Sequence, residues 1–352
     1  MSRGADATLI IVLVGVLSVA VALLVILRVG RSRRTPAFKA GDPGAVPPRA
    51  AVIVNPTKIA EPENHRTWVT SGCTAAGWAP PIWFDTTPDD PGVGQARKAL
   101  DDGATTVIAC GGDGTVRAVA SALAGTGVPL ALLPAGTGNL LARNLSVPFT
   151  DPEACLRVAL GGRDKPVDVG IAEVDVSGED ESPARHTFLV MAGLGFDAET
   201  MASVEPRLKK RVGWWAYVVA GAQNLRGRRT RVVIRLDGGP PLSRRVRSVI
   251  VGNCGELTGG VRLMPDARVD DGWLDVVIVA PRGVGGWAAV AAAVLTRARR
   301  TNIMVQHLRC RRIEIRAERP LHIQLDGDPV GTGRALRASV DPSSLLVRVQ
   351  PD

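Results

Sequence analysis

A glycine-rich turn at residues 111–115 carries one carboxylate and one hydroxyl directly after an apolar run. The turn reads Gly-Gly-Asp-Gly-Thr, and the run before it, residues 107–110, reads Val-Ile-Ala-Cys. The run predicts a buried parallel strand, and the composition of residues 116–123 predicts a helix that begins near Thr115. Free N–H groups at such a helix start can bind phosphate. Because Asp113 would repel a bare phosphate, its carboxylate indicates a bridging Mg²⁺.

A second unit of the same kind follows at once. Residues 128–134 form another strand-like run, and the turn Ala-Gly-Thr-Gly-Asn at 135–139 leads into a predicted helix at 140–144. Two such units in tandem would place two phosphate-binding turns side by side at the carboxyl edge of one sheet. The alternative is that each turn is a plain connection between a strand and a helix. Two turns that each carry a threonine favour phosphate binding.

The motifs of the first half can be compared with a known family. They are Gly-Gly-Asp-Gly-Thr at 111–115, Pro-Ala-Gly-Thr-Gly-Asn at 134–139 and Val-Asn-Pro-Thr-Lys at 54–58. Together they resemble the diacylglycerol kinase catalytic domain, the family of bacterial lipid kinases, diacylglycerol kinases and sphingosine kinases. Further counterparts follow in order at 193–197, 264–272 and 324–329. The resemblance covers residues 50–350 and implies a lipid kinase that uses ATP and Mg²⁺ to phosphorylate diacylglycerol or a related lipid alcohol.

The resemblance also implies which residues would contact ATP. The two turns would supply backbone N–H groups and threonine hydroxyls, and the ends of the first two strands would contact the nucleotide. The candidate residues are Asn55, Pro56, Thr86, Gly111, Gly112, Asp113, Gly114, Thr115, Gly136, Thr137 and Asn139. Thr87 is an alternative to Thr86. A turn-forming role for Asn55 and a strand-ending role for the threonines are the structural alternatives.

Three aspartates are candidates for the chemistry. Asp328, in the segment Asp-Gly-Asp, is expected to be a buried turn residue and the base that accepts the proton of the lipid hydroxyl, with Asp113 as the second catalytic candidate. The family usually has glutamate at the position of Asp328, and an ordinary Asp-Gly hairpin turn is the alternative. Asp168 resembles a family aspartate that faces the same cleft and is a candidate in the metal network. A salt bridge at a strand end is its alternative.

The loop 268–273 resembles a family loop that wraps a structural Mg²⁺. The carboxylate of Asp271 and the backbone carbonyls of Arg268 and Trp273 would be the ligands, and these are oxygen donors suited to a hard cation. An Asp-Asp-Gly turn between strands is the alternative.

Two positions depart from the family pattern. Thr57-Lys-Ile59 stands where the first motif usually continues to a small residue and glycine, and Leu140 stands where an acidic residue often occurs. Nucleotide contacts at these two points are therefore expected to differ from those of the family.

Composition and charge limit the cellular compartment of the protein and the classes of partner that it could bind. The 352 residues carry a formal net charge of +9, which suits an anionic membrane surface or nucleic acid. Aromatic residues make up only 4% of the chain and are mostly not interleaved with basic ones, so nucleic acid is the weaker choice. The five scattered cysteines, without CxxC spacing, indicate reduced thiols and neither a disulfide framework nor a zinc site.

An N-terminal apolar segment suggests a membrane anchor. Residues 7–27 form an uncharged run of 21 residues, long enough to cross a bilayer core of about 30 Å. A cleavable signal peptide is the alternative, although its positive charge normally precedes a shorter apolar run. Here most of the charge follows, at Arg28, Arg31, Arg33, Arg34 and Lys39. The positive-inside rule then predicts a single-pass protein of the cell membrane with its catalytic body in the cytoplasm.

The predicted fold class is α/β. A transmembrane helix within residues 1–29 and a basic, proline-rich linker at 30–49 precede an α/β nucleotide-binding domain at 50–163, where alternating strands and helices indicate a parallel sheet. Residues 164–352 predict a mostly antiparallel β-sandwich for the lipid substrate, whose last strands are open to return to the first domain.

Other partners and functions stay open. The segment 205–217 joins a cationic cluster to paired tryptophans and would either meet the membrane or pack in the core. A homodimer is not decided by the sequence. A soluble-substrate kinase of the NAD kinase type and a non-catalytic nucleotide- or lipid-binding module are the competing functions.

Overall fold

The computed structural model describes residues 46–175, 183–195, 229–257, 261–281 and 305–351, together with Gly283 and Gly286. All of them fall in one compact unit, residues 40–352. The apolar run at 7–27 and the segment 205–217 lie outside the described residues. Among the residues that are described, no helix combines the length and the apolar character that a membrane crossing requires.

Five α-helices and a short 3₁₀ turn are present in the described part. The 3₁₀ turn spans Pro56–Lys58; the helices are α1 (Pro62–Ala75), α2 (Val93–Asp101), α3 (Asp113–Leu123), α4 (Leu140–Asn144) and α5 (Pro152–Gly161). Helix α3 therefore begins two residues earlier than the turn composition predicts.

The strands divide into an N-terminal group that alternates with the helices and a later group without helices between them. They are β1 (Arg49–Val54), β2 (Ala79–Asp85), β3 (Thr106–Gly111), β4 (Leu130–Pro134), β5 (Arg163–Asp175), β6 (Ala184–Phe188), β7 (Met191–Leu194), β8 (Thr230–Leu236), β9 (Leu242–Val246), β10 (Ser248–Gly252), β11 (Glu256–Leu257), β12 (Val261–Arg262), β13 (Leu274–Val279), β14 (Val305–Cys310), β15 (Arg312–Leu325) and β16 (Asp328–Val349).

The first group forms a parallel sheet in the order β4-β3-β1-β2. Strand β3 is buried along its whole length and β1 from its second residue onward, because helices cover both faces of such a sheet. Their apolar side chains belong to a core that also includes the buried residues of α3 and α5. This arrangement confirms the predicted α/β part with its parallel sheet.

The second group is antiparallel, in the order β14-β13-β10-β7-β15-β16, with the hairpin β8–β9 paired to β15 and the hairpin β5–β6 paired to β16. It packs around a second apolar core of its own. Strand β16 spans 22 residues, and near its end Val347 pairs in parallel with Leu130 of β4. The predicted β-rich second part is therefore present, and its last strand joins the parallel sheet.

The five cysteines are all free and buried. Cys110 lies at the end of β3 with its Sγ atom 3.3 Å from the Nε2 atom of His65. Burial raises the pKa of this thiol to about 12, so it remains protonated at neutral pH. The prediction of unpaired thiols agrees with this arrangement.

Close packing between β5 and β6 supplies a test of the second core. Gly170 lies opposite Phe188, and a Cβ atom at position 170 would collide with the fully buried ring of Phe188. We expect Gly170→Ala to lower the free energy of unfolding by about 1–3 kcal/mol, measured by chemical denaturation. Gly161→Ala is the control, since nothing lies within 4 Å of its added Cβ, and it should be neutral or stabilising by up to about 1 kcal/mol. Equal effects of the two substitutions would contradict the packing described.

Candidate functional site

The carboxyl ends of the parallel strands bring the candidate nucleotide residues to one edge of the sheet. The backbone N–H of Asn55, after β1, donates to the carbonyl of Cys110 in β3 at 2.9 Å. The N–H of Thr86, after β2, donates to the carbonyl of Val54 at 2.8 Å, and that of Ala135, after β4, to Gly111 at 2.9 Å. The first motif and both glycine turns therefore meet along this edge, as parallel strands require.

Asn55 shapes its own turn. Its Oδ1 atom accepts hydrogen bonds from the backbone N–H of Thr57 at 3.1 Å and from the hydroxyl of Thr57 at 2.7 Å. The 3₁₀ turn that begins at Pro56 follows from this Asx arrangement. The turn-forming alternative is therefore the one observed, and nucleotide contact by Asn55 and Pro56 stays a prediction.

The two glycine turns touch backbone to backbone. A Cβ atom at position 136 would lie 2.6 Å from the Cα atom of Gly112, so this contact requires glycine. Asn139 adopts the left-handed region with φ of 48° and closes the second turn, its Nδ2 atom donating to the carbonyl of Gly136 at 3.0 Å. Thr137 lies within this turn, and Thr115 is buried in the first turn of α3.

Asp113 links the second glycine turn to the first through a hydrogen bond. It begins α3, and its Oδ1 atom accepts a hydrogen bond of 2.6 Å from the backbone N–H of Leu140, the first residue of α4. The side chain of Leu140 itself is buried in the core. At the position where the family often has an acidic residue, the side chain of Leu140 therefore packs in the core and its backbone N–H binds Asp113.

A hairpin turn from the far end of the chain reaches the same edge. Asp326 and Gly327, with φ of 50° and 91°, form the two-residue turn between β15 and β16, in which Leu325 pairs with Asp328. Asp328 lies against the first glycine turn, because a Cβ atom at position 114 would be 3.3 Å from its Oδ2 atom. The structure thereby brings the two catalytic candidates, Asp113 and Asp328, to one place.

Arg117, near the start of α3, binds this hairpin turn. Its guanidinium donates to the carbonyl of Leu325 at 2.6 Å and to Oδ2 of Asp328 at 2.9 Å, a partner 211 residues away in the chain. It also lies 3.8 Å from Oδ2 of Asp326. Sequence patterns gave no signal for this residue, because a contact of such separation leaves no local pattern.

The burial expected for Asp328 is wrong: its side chain is 53% exposed, and Asp326 is the buried aspartate. The carboxylate of Asp326 accepts hydrogen bonds from the backbone N–H groups of Leu189, Val190 and Met191. These three hydrogen bonds assign the structural role to Asp326. Asp328 is left at the surface of the cleft.

The carboxylates of Asp113, Asp326 and Asp328 repel one another electrostatically. Burial raises the pKa of Asp113 to about 6, and the charges of Asp326 and Asp328 add to this effect, while N–H groups of Leu140 and Asn139 act against it. Burial also raises the pKa of Asp326, against the charge of Arg117 and the three backbone N–H groups. Such mutual repulsion would be relieved by a cation.

The metal ligands that the protein offers at this edge suit a cation that binds together with phosphates. In the described ranges, no group of three or more His, Cys, Asp or Glu side chains lies close enough to hold a metal alone. Mg²⁺ in phosphate sites typically keeps several waters and uses one or two protein carboxylates. Asp113 and the two glycine turns match this requirement.

Asp168 lies at the loop 268–273. It is buried, and its carboxylate accepts from the N–H groups of Gly272 at 2.6 Å and Ser343 at 2.8 Å. Its own N–H donates to the carbonyl of Val269 at 2.6 Å. Asp168 therefore shapes this loop through backbone N–H groups, and neither of these contacts is a salt bridge.

Asp271, in the same loop, already has partners for both oxygens. Oδ1 accepts from the N–H of Trp273 at 3.1 Å, and Oδ2 pairs with the guanidinium of Arg309. The guanidinium of Arg309 therefore supplies positive charge beside this carboxylate. A magnesium site formed by Asp271 with the carbonyls of Arg268 and Trp273 stays a prediction.

The parallel sheet with its paired glycine turns and the β-rich part that brings a carboxylate back to them define a two-part α/β protein. Residues 49–172 match the model of the diacylglycerol kinase catalytic domain, and residues 190–349 match the YegS C-terminal NAD kinase beta sandwich-like domain. The chain belongs to the diacylglycerol kinase catalytic domain family.

Curated relatives and solved structures agree with this membership. A probable lipid kinase YegS-like of Pseudomonas aeruginosa is 34% identical over 269 residues, which cover 73% of this chain and 82% of the relative. The protein of the same name from Stenotrophomonas maltophilia is 34% identical over 243 residues, covering 66% of this chain and 75% of the relative. A putative diacylglycerol kinase from Bacillus anthracis superposes with a TM-score of 0.70 at 22% identity, over 89% of this chain and 99% of that one, and shows the shared fold.

The raised pKa of Asp113 gives a stability test without any ligand. A carboxyl that titrates near pH 6 when folded and near 3.8 when unfolded contributes stability at low pH, which is lost as the pH rises through about 6. Asp113→Asn should therefore gain stability relative to the unchanged chain between pH 4 and pH 7, by about 1–2 kcal/mol, in urea denaturation at both pH values.

The control for this comparison is Asp102→Asn, at an exposed helix end. Its effect should be the same at both pH values. If Asp113→Asn also showed no pH dependence, the electrostatic cost assigned to Asp113 would be refuted.

Proposed function

We propose that this protein is an ATP-dependent lipid kinase that transfers the γ-phosphoryl group of ATP to the hydroxyl of diacylglycerol or a related lipid alcohol. One observation carries the proposal: the carboxylate of Asp328 is held by Arg117 at 2.9 Å beside the glycine turn that begins α3. A phosphate-binding turn and a solvent-accessible carboxylate side by side are what phosphoryl transfer to an alcohol needs. The names of the relatives support the lipid acceptor.

The glycine turns are the proposed phosphate site. The N–H groups at the start of α3 and the turn 135–139 lie together at the sheet edge, where helix dipole and backbone donors favour anions. Asp113 would hold a Mg²⁺ ion, and such an ion would supply positive charge to neutralise the phosphate oxygens. Thr115, Thr137 and Thr86 are the proposed side-chain contacts.

Asp328 is the proposed general base. Its exposed side chain can meet an acceptor hydroxyl that enters from solvent or from a membrane, whereas Asp326 is enclosed and engaged with backbone N–H groups. Aspartate is one methylene shorter than the usual family glutamate. Arg117 offsets this difference by fixing the carboxylate against Gly114.

Membrane anchoring completes the proposal. The apolar run at 7–27 would span the bilayer, and the arginines that follow it would hold the body at the cytoplasmic side, where ATP is available. Support for this part comes from the sequence alone.

A transfer assay tests the function. Purified full-length protein, radiolabelled ATP and Mg²⁺ are incubated with mixed micelles of diacylglycerol, with NAD as an alternative acceptor in parallel, since the second family model is named after NAD kinase. We expect phosphate in the lipid and none in NAD. Labelled NADP would replace the lipid proposal, and nucleotide binding without transfer to either acceptor would refute diacylglycerol as the substrate.

Removal of the carboxylate of Asp328 should slow phosphoryl transfer without weakening the binding of Mg·ATP. Asp328→Asn should lower kcat by about 10²–10⁴-fold with little change in affinity for Mg·ATP, because only proton acceptance is removed. Asp328→Glu, which restores the usual family residue, should keep measurable activity. Full activity of the asparagine variant would remove Asp328 from the chemistry.

Arg117 should act as a positioning residue. Arg117→Ala should reduce kcat by about 10–100-fold while the KM for ATP changes little, since a misplaced base costs rate more than binding. Arg117→Lys keeps the charge but loses the planar guanidinium whose two nitrogens bind Leu325 and Asp328 together, so partial rescue is expected. A parallel loss of ATP affinity would instead assign Arg117 to the nucleotide site.

A further inference from the structure

Helix α4 directly follows the second glycine turn, residues 135–139, and has only five residues, Leu140–Asn144. Isolated helices shorter than about 12 residues are marginal in water, so contacts with the rest of the fold must fix the position of α4. Leu140, Leu141 and Ala142 supply apolar contacts, since all three are buried in the first core. Apolar contacts are not directional, so the orientation of α4 must come from its hydrogen bonds.

Leu140 is bound through both of its backbone groups. Its N–H donates to the Oδ1 atom of Asp113 at 2.6 Å, and its carbonyl accepts a hydrogen bond from the Nδ2 atom of Asn144 at 2.9 Å. Asp113 and Asn144 therefore hold the same residue, one at each backbone group. A shift of the Asn144 side chain would reach Asp113 through this single residue.

The side-chain amide of Asn144 also binds strand β11. Its Oδ1 atom accepts from the N–H of Glu256 at 3.0 Å, and its Nδ2 atom donates to the carbonyl of Glu256 at 2.8 Å. An amide side chain offers one carbonyl oxygen and two N–H groups, so these bonds and the one to Leu140 use the oxygen and the nitrogen alike. Asn144 and Glu256 are 112 positions apart in the chain. Asn144 therefore fixes α4, and with it the end of the second glycine turn, against a distant segment.

Apolar packing accompanies this contact. Leu257, the other residue of β11, is buried in the same core as Leu140 and Leu141. Asn144 itself is half-buried. Hydrogen bonds in such a partly enclosed place are stronger than in water, and leaving their backbone partners unpaired is costly. The hydrogen bonds of Asn144 therefore set the position of α4 on β11.

The second glycine turn lies very close to Asp113. A Cβ atom at position 138 would collide with the carboxylate of Asp113. The Nε atom of Arg143 donates to the carbonyl of Gly138 at 2.7 Å and fixes the internal shape of the turn, whereas the bonds of Asn144 to β11 fix its place in the fold. A displacement of about 1 Å at such a close contact would change which N–H groups of the two turns can reach one phosphate.

We propose that Asn144 is a positioning residue for nucleotide binding, which holds the second glycine turn where both turns can bind the phosphates of Mg·ATP. The inference rests on the proposed function, in which the two turns form the phosphate site. Phosphates are bound before and during transfer, so loss of this position raises the KM for ATP and leaves kcat nearly unchanged. Asn144 differs in this respect from Arg117, which positions the proposed base. A purely structural role would instead reduce the number of folded molecules, and so the apparent kcat, with an unchanged KM.

Nucleotide binding without lipid tests the inference in the full-length protein. Calorimetric titration with Mg·ATP should give a Kd about tenfold higher for Asn144→Ala than for the unchanged chain, while kcat at saturating ATP falls by less than about threefold. Ser121→Ala is the control, because it removes a half-buried hydrogen bond within α3, from the Ser121 hydroxyl to the carbonyl of Ala118, and its Kd should equal that of the unchanged chain. An unaltered Kd for Asn144→Ala would refute the inference and leave the proposed function standing. Failure of the unchanged chain to bind Mg·ATP would refute both.

Hydrogen exchange gives a second measurement that needs no variant. Because Asn144 joins α4 to β11, Mg·ATP should slow the exchange of backbone N–H groups in α4 and in Glu256–Leu257 of the unchanged chain. In Asn144→Ala, the protection of β11 should be lost while that at the start of α3 remains. Protection of α4 without any protection of β11 in the unchanged chain would show that Asn144 does not connect them, and would overturn the inference.

Discussion

The contact between Arg117 and the turn of the β15–β16 hairpin sets the geometry on which the site depends. Helix α3 starts at the first glycine turn, so a side chain early in this helix moves with the proposed phosphate site. By binding the carbonyl of Leu325 and the carboxylate of Asp328 together, Arg117 places the hairpin turn relative to that site. A partly exposed ion pair alone contributes no more than about 1 kcal/mol, so the pair of contacts serves position more than stability.

The rest of the fold makes this position rigid. Asp326 holds the hairpin turn from the other side through three backbone N–H groups of residues 189–191. Strand β16 then leads from the turn across the second part and pairs with β5 and with β4 of the parallel sheet. Asp328, the proposed base, and the proposed phosphate site are therefore joined twice, once by Arg117 and once by the continuous strand.

The sequence predicts the parts of this site better than their assembly. Apolar runs that end in glycine turns are local patterns, and they predict β3, β4 and the helices that follow them. Strand β15 has charged residues at alternate positions over 312–318, but β15 and β16 also pair with strands that lie far away in the chain, so no local pattern gives their bounds. The same limit explains the error at Asp328. The Asp-Gly-Asp segment predicts a hairpin turn, but which aspartate is enclosed depends on residues 189–191, more than 130 positions earlier.

Unbalanced charge at the carboxyl edge of the sheet has a physical consequence. Burial raises the pKa of Asp113 to about 6, and the negative charges of Asp326 and Asp328 add to this effect. A folded chain gains nothing from like charges held together unless a ligand supplies the opposite charge. Because the acidic cluster is compact and partly enclosed, it suits one cation carried by phosphates.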